Sequence, residues 1–168
     1  MGFQNMNRKG SMTDVIVAGI LLLSLAGTAV VAYVITSDIN ADIQASDDFG
    51  ELPKAVSENT KVSYLKFADN IFLVAIIVLG IGAFVSASLL NTHPFFFLGA
   101  IIIMAIIVTS AAAMSNAYEE FANEPSIEPY ASDFVILPFI FLNYPKIMVG
   151  LGVLLMIGLY AKTRGGGE

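Results

Sequence analysis

Two ionisable residues beside long apolar runs are the first candidates for chemistry. Lys146 lies between FVILPFIFL (134–142) and IMVGLGVLLMIGLY (147–160), and Asp69 lies near the start of another apolar block. A charged side chain in the middle of a bilayer costs about 2.5 kcal/mol or more and often marks a transport path or a proton relay. At the edge of a span it only marks the membrane surface. We predict that both charges are interfacial, with Asp69 capping its own helix; a buried Lys146 paired with Asp69 or with an acid of residues 118–133 is the alternative.

Other residue types that carry chemistry are sparse. His93, the only histidine, lies in the turn NTHP (91–94), and the chain has no cysteine. A metal site needs three or four converging ligands, so His93 is interpreted as a cap or a headgroup contact. No phosphate-binding loop, paired-histidine motif or nucleophile motif occurs in the sequence. We therefore expect no catalytic residue, no cofactor and no metal, and the net charge of −6 argues against a nucleic-acid partner.

The acidic stretch 118–133 suggests a different kind of site. It contains five acidic residues and no lysine or arginine. A partner protein that carries lysine or arginine would complement this charge, whereas a solvated helix end is the simpler explanation. The predicted docking residues are Glu119, Glu120, Glu124 and Glu128.

The elements that must position these residues are long apolar helices. The 168 residues are 57% hydrophobic and only 13% charged, with a mean hydropathy of +0.78. Apolar blocks of about 18 residues or more are typical of membrane-spanning helices. The sequence thus predicts an all-α integral membrane protein, with four transmembrane helices bundled in one domain, residues 1–168. The predicted spans are residues 14–36, 67–90, 95–118 and 146–161, and the predicted polar outer loops are residues 37–66 and 119–133. Two alternatives stay open: the first span continues beyond the lipid as an amphipathic helix toward Ser46, and the third extends to Phe121.

The last apolar region allows two geometries. A continuous helix over residues 133–162 would be about 43 Å long and would bury Lys146 in the bilayer. Alternatively, the helix begins at Asn143, a good N-cap, and tolerates Pro145 in its first turn. Lys146 then lies at the outer interface, and residues 134–142 form a short segment in the outer leaflet. We favour the second geometry because the cap, the proline and the charge agree with it.

Small residues recur at helical spacing in several of the predicted spans. Such residues let helices approach closely in lipid, where van der Waals packing drives association. The predicted helix-packing residues are Ser24, Thr28, Ala32, Gly82, Ser86, Ala105, Thr109, Ala113, Gly150 and Gly158. Whether they contact helices of the same chain or of a neighbouring subunit stays open.

Flanking charge predicts the orientation. Arg8 and Lys9 precede the first span, and Lys162 and Arg164 follow the last one. Lysine and arginine near span ends favour the cytoplasmic side, so we expect both termini inside and both polar loops outside. The lysines of residues 61–66 count against this orientation.

The stretch NTHPFFFLGAIIIMAIIVTSAAAMSNAYEEF (91–121) combines a His-Pro turn, an aliphatic span and an Asn-x-Tyr end. It resembles small integral membrane proteins of tailless, lipid-containing bacterial and archaeal viruses. The resemblance covers one span and its edges. It implies a virion protein of an internal membrane, associated with capsid-like subunits, and it transfers no catalytic residue.

Three functions fit these observations. The first is a non-enzymatic structural or assembly protein in the lipid bilayer, which packs by small-residue helix faces and docks other subunits through acidic loops in a homo- or hetero-oligomer. The second is an accessory subunit of a larger respiratory or oxidase-type complex. The third is a small channel, transporter or holin, which would need polar groups that face each other within the bundle.

Overall fold

The computed structural model describes residues 12–89 and 96–165, and within them the side chains of residues 16–82, 84–85 and 99–157. Several sequence predictions fall outside this part: the turn with His93, the basic residues 8–9, the side chains of Ser86, Lys162 and Arg164, and the surroundings of Gly158.

Helix is the regular secondary structure of the described residues, as predicted for an all-α protein. The six helices are α1 (Met12–Ala45), α2 (Glu51–Leu89), α3 (Phe96–Ala122), α4 (Glu128–Ala131), α5 (Ile136–Leu142) and α6 (Tyr144–Gly165). Three of them, α1, α2 and α3, are long and apolar enough to cross a membrane. The bent pair α5–α6 brings the number to four if it counts as one span. The helices therefore fit a multi-pass membrane protein.

Residues 37–66 are mostly helical: the first helix continues as in the alternative that the sequence left open, whereas the helix before residue 67 was not predicted. Helix α1 continues to Ala45, and α2 begins at Glu51, so only a short turn separates the two. Polar residues can continue a helix when side chains on a neighbouring helix give it support. With 39 residues, α2 is about 58 Å long, roughly twice the thickness of a hydrocarbon layer. The predicted loop 119–133 is also partly helical, because α3 runs to Ala122 and α4 follows.

The helices form a bundle in which α1 lies beside α2 and α3, and α6 lies beside the same two helices. The short α5 is inserted between α2 and α3. Its Leu137 and Phe141 are almost completely buried, together with Tyr33 of α1, Phe72 of α2 and Tyr118 of α3. The best-packed part of the core thus lies at the level of α5, near the polar end of the bundle.

The chain bends by 72° at Asn143, between α5 and α6. The Nδ2 amide of Asn143 donates to the carbonyl oxygen of Phe139 at 2.9 Å, and the N–H of Ile147 donates to the carbonyl oxygen of Asn143 at 2.9 Å. The break agrees with the favoured geometry, and a continuous helix over residues 133–162 is wrong. The asparagine side chain, however, satisfies a carbonyl of α5 and does not cap the amides of α6.

The described members of the predicted small-residue faces lie mostly at the surface of the bundle. Most of the described members are exposed, and Ala32 is half-buried; the exposed ones are Ser24, Thr28, Gly82, Ala105, Thr109, Ala113 and Gly150. The close approaches occur at other glycines. A Cβ on Gly152 would clash with Met104, and one on Gly19 would lie 2.7 Å from the Met114 sulfur. Contact of the exposed faces with a neighbouring chain stays a prediction.

Candidate functional site: the polar head

The polar end of the bundle concentrates most of the charge of the chain. We call it the polar head and define it as residues 36–66 of the α1–α2 hairpin together with residues 115–135. It contains eleven of the 14 acidic residues of the chain and three lysines. The carboxylates predicted to dock a partner all belong to this head.

Residues 123–135, which we call the strap, cross the head from α3 to α5. Two tyrosine hydroxyls connect the strap to α1. Tyr33 donates to a carboxylate oxygen of Asp133, and Tyr130 donates to a carboxylate oxygen of Asp38, both at 2.7 Å. The two bonds run in opposite directions, one from helix to strap and one from strap to helix. Hydrogen bonds to charged groups are among the stronger ones in proteins, so they fix the strap on the bundle.

An aromatic cluster lies at this connection. Tyr33 is 2% exposed; its ring stacks on Tyr64 with centroids 6.4 Å apart and meets Phe134 edge-on at 5.3 Å. The Tyr64 hydroxyl donates to the carbonyl oxygen of Ala29 at 3.1 Å. Packed rings contribute beyond their buried area, typically by about 0.5–1.5 kcal/mol per pair. The strap, α1 and α2 are thus held by packing as well as by hydrogen bonds.

Asp69 caps a helix other than its own. The sequence analysis expected it at the start of a span, but it lies in the interior of α2. Its carboxylate accepts the backbone N–H groups of Val135 at 3.0 Å, Ile136 at 2.9 Å and Leu137 at 2.7 Å. These amides open α5, whose own residue Val135 supplies no side-chain cap. Amides at a helix start have no partner within the helix and favour a negative charge, so Asp69 satisfies α5 from the neighbouring helix.

Lys146 is exposed, and its ammonium group donates to the side-chain oxygen of Asn143 at 3.0 Å. It therefore sits at the bend between α5 and α6. The alternative of a buried lysine paired with Asp69 does not fit this geometry, because the Asp69 carboxylate binds the α5 amides.

The four glutamates predicted to dock a partner are all exposed. Glu119 and Glu120 lie in the last turns of α3, Glu124 lies in the strap, and Glu128 begins α4. The structure therefore leaves these carboxylates accessible, and it distributes them along one continuous segment.

The α1–α2 hairpin within the head is fastened by side chains that the sequence did not single out. Asn40 is 5% exposed and donates to the Glu58 carboxylate at 2.7 Å, and Gln44 donates to the carbonyl oxygen of Lys54 at 2.8 Å. Both donors lie on α1, four residues apart, and face α2. The spacing i, i+4 is a signal that could have indicated a polar helix–helix contact.

Three further features of the described residues bear on possible chemistry. No group of three or more histidine, cysteine, aspartate or glutamate side chains is placed to hold a metal there. The hydroxyl of Tyr118 is buried and has no hydrogen-bond partner, and its ring stacks on Phe141 at 4.9 Å. A narrow cavity between α1, α3 and α6 is lined mainly by apolar side chains, with Ser110 and Tyr144 as its polar members.

Comparisons of the chain with protein families, with curated proteins and with solved structures found no match.

Proposed function

We propose that this chain is a non-enzymatic structural or assembly protein of a membrane, and that its polar head docks another protein subunit. The observation that carries the proposal is the different use of the carboxylates in the head and directly beside it. Asp38, Asp69 and Asp133 hold the head and α5 together, while the glutamates of α3 and the strap stay exposed. A head that is fixed internally and charged externally is suited to recognition.

The surface of the bundle below the head supports membrane insertion. Each long helix exposes large apolar side chains, for example Leu21 at 63%, Val78 at 61%, Ile102 at 62% and Ile157 at 59%. Apolar patches of this extent are rare on soluble monomers, and lipid would cover them. The start of α1 and the end of α6 lie at the opposite end from the head. With the termini inside, the head faces the outer side, which agrees with the charge distribution.

A conduction role receives less support from the same residues. It would require polar groups that face each other inside the bundle. Asp69 is occupied by backbone amides, and Lys146 is exposed at a helix bend. Each of the two residues binds a group that fixes α5 or the bend after it, and neither pairs with an opposite charge in the described part of the chain, which favours a scaffold.

The most concrete form of the proposal is a virion membrane protein. It rests on the resemblance of residues 91–121 to small membrane proteins of tailless, lipid-containing viruses. In that setting the head would contact a capsid-like subunit, and the bundle would hold the contact at a fixed distance from the lipid.

The proposal is tested by neutralising the four exposed glutamates together. The variant Glu119→Gln, Glu120→Gln, Glu124→Gln, Glu128→Gln and the wild type are extracted in mild detergent, and the co-purifying chains are quantified. We expect the variant to lose its partner while its helix content and unfolding temperature stay unchanged, because all four side chains are exposed.

A charge control accompanies this experiment. Replacing Lys61 and Lys66 by glutamine makes the head more negative and should preserve or strengthen the association. An unchanged partner yield in the quadruple variant would show that the glutamates do not dock a partner.

A further inference from the structure

The turn of the α1–α2 hairpin carries an apolar cluster at the far end of the polar head. Phe49 is 45% exposed, Leu52 76% and Val56 56%. Leu52 is the most exposed large apolar side chain in the described part of the chain. Leu52 and Val56 are four residues apart on α2 and share one face of the helix. We call these three residues the hairpin tip.

Lipid of the membrane that holds the bundle does not reach the hairpin tip. The apolar block of α2 begins at Phe67, fifteen residues after Leu52. At 1.5 Å per residue this is about 22 Å along the helix. The intervening residues include Glu58, Lys61 and Lys66, which require water. The exposure of the tip is therefore not explained by insertion of the bundle.

The hairpin tip is held in a defined conformation. The contacts from Asn40 and Gln44 to α2 fasten the two helices close to the turn. Within the turn, the N–H of Asp48 donates to the hydroxyl of Ser46 at 3.2 Å. A preformed surface binds with less loss of conformational freedom than a loop that must first become ordered. Exposed apolar residues on a stiff projection are typical of a protein-binding surface.

The charge around the tip defines its partner. Asp47, Asp48 and Glu51 are all exposed and lie beside the apolar residues in the sequence, and the half-buried Lys54 is the one basic residue in the same stretch. A second copy of the chain would bring these acids against each other. Residues 1–11 can extend at most about 40 Å, whereas α1 separates them from the turn by about 50 Å.

We propose that the hairpin tip inserts into an apolar pocket of a partner protein, and that lysine or arginine side chains surround this pocket. The inference rests on the proposed docking function and assigns to it a second, apolar contact. The apolar centre would supply most of the affinity, and the acidic rim would supply orientation and association rate.

The first experiment identifies what lies against the tip. A photoreactive amino acid replaces Leu52 in the full-length protein in its native membrane, and the same residue replaces Phe67 as a control. We expect crosslinks from position 52 to a peptide of another protein that contains apolar and basic residues, and crosslinks from position 67 to lipid or to membrane helices.

The second experiment measures the contact with the purified crosslinked partner. The full chain is placed in nanodiscs, and the dissociation constant is determined for the wild type, Leu52→Asp and Ile39→Asp. Ile39 is a matched control, because it is a 53%-exposed aliphatic residue on the same hairpin. We expect Leu52→Asp to weaken binding at least about tenfold and Ile39→Asp to leave it within about twofold of the wild type.

Equal affinity of Leu52→Asp and the wild type would overturn the inference. So would crosslinks from position 52 only to lipid, which would indicate an apposed membrane, only to a second copy of the chain, or to nothing. Failure of the tip alone is distinguishable from failure of the docking function. If the quadruple glutamate variant releases the partner and Leu52→Asp retains it, the docking function stands and the tip does not take part.

Discussion

Replacing Asp69 by alanine should detach the start of α5 from α2. The carboxylate accepts the amides of Val135, Ile136 and Leu137, and the last two bonds are partly buried. Val135 is 75% exposed, so its amide can bind water after the substitution. The other two amides lose their partner in a poorly hydrated place. Each such loss costs about 1–3 kcal/mol, and at the lower limit the two together give about 2 kcal/mol.

This magnitude predicts a local change that can be measured. A decrease of about 2 kcal/mol in the free energy of opening corresponds to about 30-fold faster amide hydrogen exchange. The exchange of residues 135–137 is therefore measured by mass spectrometry on the full protein in nanodiscs. Asp69→Asn keeps one acceptor oxygen and should produce a smaller acceleration than alanine.

The control is Asp42→Ala, which removes an exposed carboxylate from α1. Its effect on residues 135–137 should be negligible, because α5 packs mainly against α2 and α3. If the exchange in Asp69→Ala stays within about twofold of the wild type, Asp69 does not cap α5, and the arrangement of the strap must be revised.

Three further predictions concern the head and the packing of the bundle. The hydrogen bond to a carboxylate of α1 raises the pKa of Tyr130, so the bond is complete below the ordinary pKa of about 10 and is lost as the pH rises through the raised pKa. The titration of Tyr130, obtained as the ultraviolet difference between the wild type and Tyr130→Phe, should therefore have its midpoint above pH 10. A midpoint at or below pH 10 would contradict the bond. Gly152→Ala should decrease the free energy of unfolding by about 1–2 kcal/mol, because a methionine of α3 must move, whereas Gly150→Ala faces open space and should be neutral or slightly stabilising in the same detergent. Tyr118→Phe removes a buried hydroxyl without a partner and should raise the free energy of unfolding by about 1 kcal/mol, whereas Tyr33→Phe loses a hydrogen bond to a carboxylate and should lower it by a similar amount. Thermal unfolding temperatures that change in the same direction in both variants would refute this assignment.

The sequence predicted the helical fold because lipid-compatible helices follow from local composition. Apolar blocks appear in the sequence as continuous runs, and their ends could be located from charges and prolines. The break at Asn143 could also be predicted, since a proline two residues and a lysine three residues after an asparagine disfavour a helix that continues through the bilayer. In each case the signal lies within a few residues of the feature that it determines.

The contacts that hold the head together could not be predicted in this way. Asp69 and Leu137 are 68 residues apart, Tyr130 and Asp38 are 92 residues apart, and Tyr33 and Asp133 are 100 residues apart. A single sequence gives the hydrogen-bonding capacity of each side chain but not the identity of its partner. Asp69 was accordingly assigned to the nearest helix start, although the amides that it binds belong to α5.

The small residues show the same limit for packing. Spacing by four places Ala105 and Thr109 on one face of α3, but it does not indicate which neighbour that face meets. The structure leaves this face exposed and brings Gly152 of α6 against Met104 instead. A periodic pattern identifies a helix face, and only the topology of the bundle assigns its contact.

The way in which the head is held together leaves its negative charge in place. The strap is connected through tyrosine hydroxyls, and α5 through backbone amides, so the donors in these contacts are neutral. A neutral donor stabilises a carboxylate without cancelling its charge. The same carboxylates therefore shape the head and still contribute to its electrostatic field, together with the exposed glutamates.

Because exposed charges are screened beyond about 8–10 Å at physiological salt, a basic partner must approach closely to gain from this field, and its binding must weaken as salt rises. Affinity that persists at high salt would then come from the apolar hairpin tip, since the burial of apolar surface is not weakened by added salt.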